Sequence, residues 1–373
     1  MTNRAAKLYQ LIRSTARERR LGTVILFVTS RCNAKCETCF YWQELNRPGD
    51  MTFEQIERVS ATMPPVTDLW LSGGEPTLRR DLPEIVNLFV RQNGVRRVII
   101  PTNALVKSHV LSVVGRALSE NPEIDLYLNV ALDGYGETHD RVRGVPGNWG
   151  KTLDCIRALY PLKDKFGDRF RLNVNTVVCA ENYLEIARLS SYLFENFRLD
   201  GHYFNIIRGE TKAGASIKQV PAEALPEIYA LAARLTARYG ERMFAADDAP
   251  TRLVKSVAYV GTITTHYRTQ LANFGGASDW GFPCTAGETA AVIDYNGDVR
   301  ACELRDKFAS LADFDYDFGA LWAARARQEE LKQIDSGRAC WCTHVCFIHD
   351  SLRHSRRGLL YDVPKNYLTR GSW

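Results

Sequence analysis

The sequence predicts an α/β protein: a partial (β/α)6 barrel of the TIM type followed by a small cysteine-rich extension. Six short β-rich runs alternate with amphipathic stretches along residues 21–239, which indicates parallel strands joined by crossover helices. Polar residues follow the ends of these runs, and most cysteines fall into two groups. Six repeats favour an open barrel over a closed eightfold one, and a doubly wound sheet is the alternative architecture.

Each element of the barrel follows from these patterns. The predicted strands are Thr23–Val28, Asp68–Ser72, Arg96–Ile100, Asp125–Ala131, Arg171–Val178 and His202–Ile207. The predicted helices are Phe53–Ala61, Leu82–Arg91, Leu105–Leu118, Trp149–Tyr160, Leu184–Phe197 and Ala222–Arg238. In both architectures the reactive groups belong at the carboxyl ends of the strands.

The chain divides into segments of different composition. They are a basic N-terminal helix at 1–20, the barrel at 21–239, a linker and substrate-facing segment at 240–283, the cysteine-rich domain at 284–350 and a tail at 351–373. A basic amphipathic helix either packs on its own domain or lies on a membrane surface. We expect packing on the domain and keep peripheral membrane contact as the alternative.

Composition favours a cytoplasmic enzyme. The chain has 373 residues, 45% of them apolar, and a formal net charge of +5 without a long basic block. A core of useful size is therefore available, and a nucleic-acid partner is not expected. The N-terminus lacks the apolar core of a signal peptide, and no apolar run reaches the roughly 18 residues of a membrane span.

Cys32, Cys36 and Cys39 follow the first predicted strand with the spacing CxxxCxxC. Structural zinc sites usually present two separated ligand pairs and fill all four positions, whereas three thiolates on one loop suit three corners of an iron–sulfur cluster. The fourth iron would stay open to a small molecule. This spacing predicts a reactive metal centre rather than a structural one.

Polar groups follow the next strands. Ser72-Gly73-Gly74-Glu75 combines a flexible backbone with a carboxylate, and Thr102-Asn103 and Asp133 come after the third and fourth strands. Arg143 lies further along the fourth loop, and the alternation of side chains places Asn173 and Asn175 on one side of the fifth strand. Each residue alone is also an ordinary cap or turn former. Their shared position at one edge is the stronger signal.

Over roughly residues 20–210, these segments together resemble the radical S-adenosylmethionine (SAM) superfamily. The resemblance rests on Cys32-x-x-x-Cys36-x-x-Cys39, Gly73-Gly74-Glu75-Pro76, Thr102-Asn103, Leu132-Asp133-Gly134 and His139-Asp140-x-x-Arg143-Gly144, in this order. The family's fold is a partial barrel of six units, which agrees with the count made above. One departure is that Thr38, not an aromatic residue, precedes the third cysteine, and Phe40 follows it.

The resemblance implies a role for each matching residue. The three cysteines would bind a 4Fe–4S cluster whose open iron takes the amino and carboxylate groups of SAM. Glu75 and the Gly73-Gly74 backbone would hold the SAM ammonium group, and Arg143 would pair with its carboxylate. The remaining residues assigned to the SAM pocket are Ser72, Asn103, Asp133 and Asn175.

A second cysteine group occupies the C-terminal third. The group comprises Cys284, Cys302, Cys340, Cys342 and Cys346, and Asn296-Gly297 predicts a hairpin turn within Thr289–Arg300. From spacing alone, a structural zinc site is an open alternative. Beside a radical SAM domain, the region resembles the SPASM and Twitch extensions. A full SPASM element has seven cysteines for two clusters, so the resemblance implies one auxiliary 4Fe–4S cluster in the shorter Twitch form. Cys284, Cys302, Cys342 and Cys346 are the favoured ligands.

The resemblance implies an enzyme that cleaves SAM reductively and removes hydrogen from an unactivated C–H bond of a small molecule. The substrate class would be a sugar, a natural product or a lipid intermediate, and the reaction a dehydrogenation assisted by the auxiliary cluster. The reductant would be a low-potential donor of flavodoxin or ferredoxin type. The alternatives are an epimerase with Cys179 as hydrogen donor, a peptide-modifying maturase, an iron–sulfur electron carrier and a zinc-stapled binding module.

Overall fold

The structure is a computed structural model that describes residues 19–336 and 342–373. Almost all of the N-terminal helix predicted at 1–20 lies outside the described residues, as does Cys340. Among the helices of the described ranges, none is long and apolar enough to cross a membrane.

The strands form one mixed sheet. They are β1 (Thr23–Thr29), β2 (Asp68–Gly73), β3 (Arg97–Thr102), β4 (Asp125–Ala131), β5 (Phe170–Val178), β6 (Gly201–Ile206), β7 (Ala290–Ile293), β8 (Asp298–Arg300) and β9 (Lys307–Ser310). The order in the sheet is β6-β5-β4-β3-β2-β1-β7-β8-β9. Strands β1 to β6 are parallel, each beside its neighbours in the chain. This order confirms the partial barrel, because a doubly wound sheet reverses its strand order at a switch point.

Helices cover the outer face of the barrel and continue beyond it. They are α1 (Phe53–Thr62), α2 (Leu82–Asn93), α3 (Lys107–Glu120), α4 (Glu137–Arg143), α5 (Asn148–Ala158), α6 (Tyr160–Phe166), α7 (Ile186–Asn196), α8 (Ala224–Met243), α9 (Ala249–Phe274), α10 (Phe318–Ala323), α11 (Arg325–Ser336), α12 (Val345–Arg353) and α13 (Val363–Leu368). Helix α1 shows why they begin where they do. Thr52 and Gln55 form a capping box that satisfies the first backbone amides.

The two faces of the strands have different environments. On β3, Val98 and Ile100 are fully buried in the core shared with the outer helices, whereas Arg97, Ile99 and Pro101 line an internal cavity. Successive side chains of a strand point to opposite sides, so the apolar face fixes which residues reach the interior.

The predicted C-terminal hairpin is present and extends the barrel sheet. Strand β7 pairs in parallel with β1, from Thr23 opposite Ala290 to Leu26 opposite Ile293. Strand β8 returns antiparallel after a turn at Asn296-Gly297, where Gly297 has φ of +87°. The sequence predicted a small separate element. The pairing with β1 instead places the hairpin directly beside the strand that leads to Cys32.

Helix α9 covers the free edge of β6. The amide of Phe204 donates to the Tyr267 hydroxyl at 3.4 Å, and the amide of Ile206 donates to Gln270 Oε1 at 3.3 Å. These side chains use strand amides that would otherwise be unpaired at the sheet edge. Most of the segment predicted as a linker at 240–283 is therefore a 26-residue helix, and its inner side lines the cavity.

The C-terminal tail packs on α9. Arg268 donates to Asn366 Oδ1 at 2.7 Å and to the Ser372 carbonyl at 2.6 Å. Gly261 lies so close to α13 that a Cβ there would stand 2.4 Å from the Val363 carbonyl oxygen. A side chain at this position would push the two helices apart.

We predict that Gly261→Ala destabilises the protein by about 1–3 kcal/mol, because the added methyl group overpacks the contact between α9 and α13. The measurement is the free energy of unfolding in urea. Gly115→Ala in α3 is the control, since the nearest atom to its Cβ is Leu162 Cδ2 at 3.8 Å. There the better helix propensity of alanine should stabilise by up to about 1 kcal/mol. Equal effects of the two substitutions would contradict the packing argument.

Candidate active site

A cavity of about 950 Å³ lies inside the barrel and reaches the carboxyl ends of its strands. Its wall contains Cys32, Cys36 and Cys39 of the first group and Cys346 of the second. Both cysteine groups therefore meet one space. The cavity is also lined by every residue that the sequence assigned to the SAM pocket: Ser72, Gly73, Gly74, Glu75, Asn103, Asp133, Arg143 and Asn175.

The end of α4 supports the cysteine loop. The amide of Lys35 donates to the Arg143 carbonyl at 3.2 Å, and the amide of Glu37 donates to the Val142 carbonyl at 2.8 Å. Gly144 follows with φ of +64°, and a Cβ there would stand 2.5 Å from the Lys35 carbonyl oxygen. Glycine is required here both by the left-handed backbone and by the close approach of the loop.

The Gly73-Gly74 turn holds the other side of the same loop. The amide of Gly74 donates to the Thr29 carbonyl at 2.8 Å. A Cβ on Gly73 would stand 2.3 Å from the Thr29 oxygen, and one on Gly74 would stand 2.2 Å from the Arg31 oxygen. The resemblance implies that this backbone also holds the SAM ammonium group. In the structure, the backbone of the cysteine loop approaches both glycines closely.

Glu75 joins the ends of β2 and β3. Its Oε1 accepts from the hydroxyls of Thr77 at 2.6 Å and Thr102 at 2.8 Å, and its Oε2 accepts from the amide of Asn103 at 2.7 Å. Burial raises the pKa of this carboxyl, and the donors oppose the shift. Both oxygens already have protein partners, so Glu75 organises the turn. It does so independently of any contact with the SAM ammonium group.

Asp133 and Arg143 form a buried ion pair beside the cysteines. Arg143 Nη1 lies 3.1 Å from Asp133 Oδ2, and Asp133 Oδ1 accepts from the amide of Val177 at 2.7 Å. Burial lowers the pKa of Arg143, but Cys36 and Asp133 raise it more. Arg143 Nε is buried and has no hydrogen-bond partner within residues 19–336 and 342–373. This guanidinium therefore retains a donor for an anionic ligand at the cysteine loop.

The asparagines contribute different groups to the cavity. Asn103 has a partner at each end of its amide, because its Nδ2 donates to Asn33 at 2.8 Å and its Oδ1 accepts from the amide of Leu105 at 3.0 Å. The Oδ1 atoms of Asn173 and Asn175 are buried and have no partner in the described part of the chain. Two acceptors on β5 are thus available to a bound molecule.

The thiols of the loop are held in their protonated form until a metal binds. Burial raises the pKa of Cys32 to about 11 and of Cys39 to about 12, and also raises the pKa of Cys36. Metal ligation requires the thiolate, so binding must displace these protons. Three convergent thiols with a neighbouring arginine fit an iron–sulfur cluster better than an isolated redox cysteine does.

The described cysteines of the second group pack around a common apolar cluster. Cys302 belongs to this cluster, and Cys39, Cys284, Cys342 and Cys346 pack against it. The amide of His344 lies 3.4 Å from Cys342 Sγ. The C-terminal cysteines and the third cysteine of the first group thus share one apolar cluster.

A charged network at these cysteines was missed by the sequence analysis. Arg208 Nη2 lies 3.1 Å from Glu303 Oε2, and His344 Nε2 bonds the same oxygen. Ligand atoms of Glu303, His344 and Cys346 all lie within 4.8 Å of one another. A usable signal was present, because Glu303 directly follows Cys302 and His344 lies between two cysteines. Nothing marked Arg208, which follows β6.

The far part of the cavity contains two paired histidines, also missed. His349 Nδ1 lies 3.4 Å from His266 Nε2, and Trp70 packs against His349. Burial lowers the pKa of His266 to about 3 and lowers that of His349 as well. Both rings are therefore neutral at pH 7.

Cys179 belongs to neither cysteine group. It packs with Val142, Ile207 and Ile217 in a small apolar cluster, is fully buried and is absent from the described lining of the cavity. Burial raises the pKa of its thiol to about 12. This environment is that of a small core residue, so the structure offers no support for Cys179 as a hydrogen donor.

Comparisons with known proteins agree with this arrangement. The model of the radical SAM superfamily matches residues 26–167. Fe-coproporphyrin III synthase of Methanosarcina barkeri (strain Fusaro / DSM 804) is 31% identical over 160 residues, which are 41% of this chain and 38% of that protein. The chain thus matches well under two thirds of that relative's length.

Two solved structures share the fold. Streptococcus suis SuiB aligns with a TM-score of 0.57 at 16% identity, over 88% of this chain and 72% of SuiB. The structure of native anSMEcpe with bound AdoMet and Cp18Cys peptide aligns with a TM-score of 0.55 at 16% identity, over 94% of this chain and 95% of that chain. At these identities the likeness is one of fold.

The family match begins in β1 and ends after α6, so it spans the cysteine loop, the Gly73-Gly74 turn and the Asp133–Arg143 pair. This is the part of the barrel that surrounds the three convergent thiols. Residues 26–167 are therefore a radical SAM domain, and the radical SAM superfamily uses a 4Fe–4S cluster and SAM.

Proposed function

We propose that this protein is a radical SAM enzyme that removes hydrogen from an unactivated C–H bond of a small molecule, in an oxidation assisted by an auxiliary cluster. When bound, the cluster and SAM supply a 5′-deoxyadenosyl radical for this purpose. The observation that carries the proposal is that Cys32, Cys36, Cys39 and Cys346 face one cavity. A substrate in that cavity would lie between a site that starts the reaction and one that can accept an electron.

The chain's own residues would orient the cofactor. Arg143 keeps an unpaired Nε near the cysteines in the described structure and suits the SAM carboxylate. Asn175 offers an amide oxygen to hydroxyl or ammonium groups. Glu75 and Asn103 hold the ends of β2 and β3 in place, while Asp133 holds Arg143.

The cavity suits an uncharged or weakly charged substrate with rings. Its cations are paired, Arg97 with Asp68 at 3.2 Å and Lys255 with Asp247 at 2.7 Å. Part of its wall is aromatic and is formed by Tyr127, Tyr203, Tyr259 and Trp70. A low-potential donor of flavodoxin or ferredoxin type would supply the electron. A peptide, which the anSMEcpe structure contains, is the competing substrate class.

The central test is anaerobic reconstitution with iron and sulfide, followed by reduction with dithionite in the presence of SAM. We predict that 5′-deoxyadenosine forms and that Cys36→Ala abolishes it, because the cluster loses one of its three ligands. Cys155→Ala is the matched control, since Cys155 is buried in α5 within the outer core and should leave turnover unchanged. A reduced cluster in the wild-type protein that leaves SAM intact would refute the proposal.

The auxiliary cluster has its own test. We predict that the triple variant Cys32→Ala/Cys36→Ala/Cys39→Ala retains about four irons per chain after reconstitution, as one cubane requires. The measurement is iron and acid-labile sulfide per chain. Further replacement of Cys302 and Cys346 by Ala should remove this iron. A triple variant without iron would rule out the C-terminal cluster. If that variant bound zinc instead, the result would favour the alternative of a zinc-stapled binding module.

The support of the cysteine loop by α4 gives a further prediction. Gly144→Ala should lower cluster occupancy several-fold, because its Cβ would stand 2.5 Å from the Lys35 carbonyl and displace the loop. Gly147→Ala is the matched control. Its φ is +73°, similar to that of Gly144, but no described atom lies within 4 Å of its Cβ. Gly147→Ala should lose roughly 1 kcal/mol of stability, because alanine disfavours the left-handed backbone. It should retain its iron. Equal iron content in the two variants would contradict the contact.

A further inference from the structure

Each cysteine group has one buried arginine that is paired with a carboxylate. Arg143 and Asp133 lie at the first group, and Arg208 and Glu303 lie at the second. The two pairs are not equivalent, since the first follows the family pattern, whereas Arg208 and Glu303 are 95 residues apart and belong to no motif of the sequence.

Arg208 is fixed from several sides. Its guanidinium lies 4.8 Å from the centre of the Phe40 ring and 3.1 Å from Glu303 Oε2. Gly209 has φ of +64°, and a Cβ there would stand 3.0 Å from Phe40 Cβ and 3.2 Å from Leu304 Cδ2. Phe40 directly follows Cys39 of the first group, and Leu304 lies two residues after Cys302 of the second. The backbone after β6 is thus wedged between the two cysteine segments.

Glu303 is held as an anion at the same place. Its Oε2 accepts from Arg208 Nη2 at 3.1 Å and also bonds His344 Nε2, so an ion pair and a second polar partner hold the charge. Ligand atoms of Glu303, His344 and Cys346 lie within 4.8 Å of one another. Arg208 is therefore a cation, and Glu303 an anion, next to Cys346.

The two arginines lie at different cysteine groups. The Arg143 carbonyl accepts from the amide of Lys35, within the first cysteine loop, at 3.2 Å. Arg208 instead pairs with Glu303, whose carboxylate lies within 4.8 Å of the Cys346 sulfur.

We propose that Arg208 and Glu303 set the reduction potential of the auxiliary cluster, Arg208 raising it and Glu303 lowering it. This inference rests on the auxiliary cluster of the proposed function. Reduction adds one negative charge to the cluster. A fixed cation stabilises the reduced state and a fixed anion destabilises it, most strongly where water is excluded. Arg208 and Glu303 are positioning and tuning residues, not ligands.

The test uses the Cys32→Ala/Cys36→Ala/Cys39→Ala parent, in which the C-terminal cluster would be the remaining one. Its potential is measured by EPR-monitored titration with dithionite and mediators. Arg208→Gln should disfavour one-electron reduction by about tenfold, equivalent to a shift of about 59 mV to lower potential. Glu303→Gln should shift the potential in the opposite direction by a similar factor. Arg208→Lys keeps the charge and should restore most of the parent value.

Arg300→Gln is the matched control. Arg300 lies on β8, pairs with Asp294 at 2.6 Å and is not among the described residues that line the cavity. The auxiliary cluster of the Arg300→Gln variant should have the same reduction potential as that of the parent. If Arg208→Gln does not hold iron, the reduction potentials of Glu303→Gln and Arg208→Lys provide the test.

The outcomes separate this inference from the proposed function. A parent without iron overturns the auxiliary cluster itself, and this inference falls with it. Iron-loaded Arg208→Gln and Glu303→Gln variants with unchanged potentials overturn this inference alone. Shifts of the same sign for Arg208→Gln and Glu303→Gln also overturn it, because general loosening of the site, unlike a charge effect, does not change direction with the sign of the removed charge.

Discussion

The position of the cysteine loop depends on close backbone contacts with three glycines. These contacts leave no room for a side chain on any of the three. Thr29 and Arg31 carbonyls lie where Cβ atoms on Gly73 and Gly74 would be, and the Lys35 carbonyl lies where a Cβ on Gly144 would be. The loop is thus held between the end of β2 and the end of α4. Because backbone contacts of this kind have little freedom, the three thiols keep a fixed relation to the edge of the sheet.

The same edge explains how two distant cysteine groups reach one cavity. Strand β7 pairs with β1 along Thr23–Leu26, and Cys302 follows the hairpin that β7 begins. Strand β1 leads directly to Cys32. One sheet therefore leads to both Cys32 and Cys302, and strand pairing sets the relation between these two positions. Tyr41 adds a cross-connection, since its hydroxyl donates to Asp294 at 3.1 Å.

The barrel and its polar edge were predictable because both follow from local patterns. Strand and helix periodicity identified the six units, and parallel topology placed Glu75, Asn103, Asp133 and Asn175 on one side. The pairing of β7 with β1, the capping of β6 by α9 and the bond between Arg208 and Glu303 were missed. Each joins segments far apart in the chain, and no local periodicity encodes such contacts. The contact of Gly73-Gly74 with the cysteine loop was not predicted for a related reason, as the sequence shows small residues but not what approaches them.

Burial of the thiols links assembly of the site to proton release. The apolar surroundings that would exclude water from a reactive intermediate also raise the pKa of Cys32, Cys39 and Cys346, so the empty sites favour neutral thiols. A loaded cluster instead places negative charge in the same apolar wall. Arg143 and Arg208 stand where that charge would arise. Each is anchored by a single carboxylate, Asp133 or Glu303, so each pair is close to neutral before loading. The chain can therefore keep a dry cavity without leaving an isolated charge buried in it.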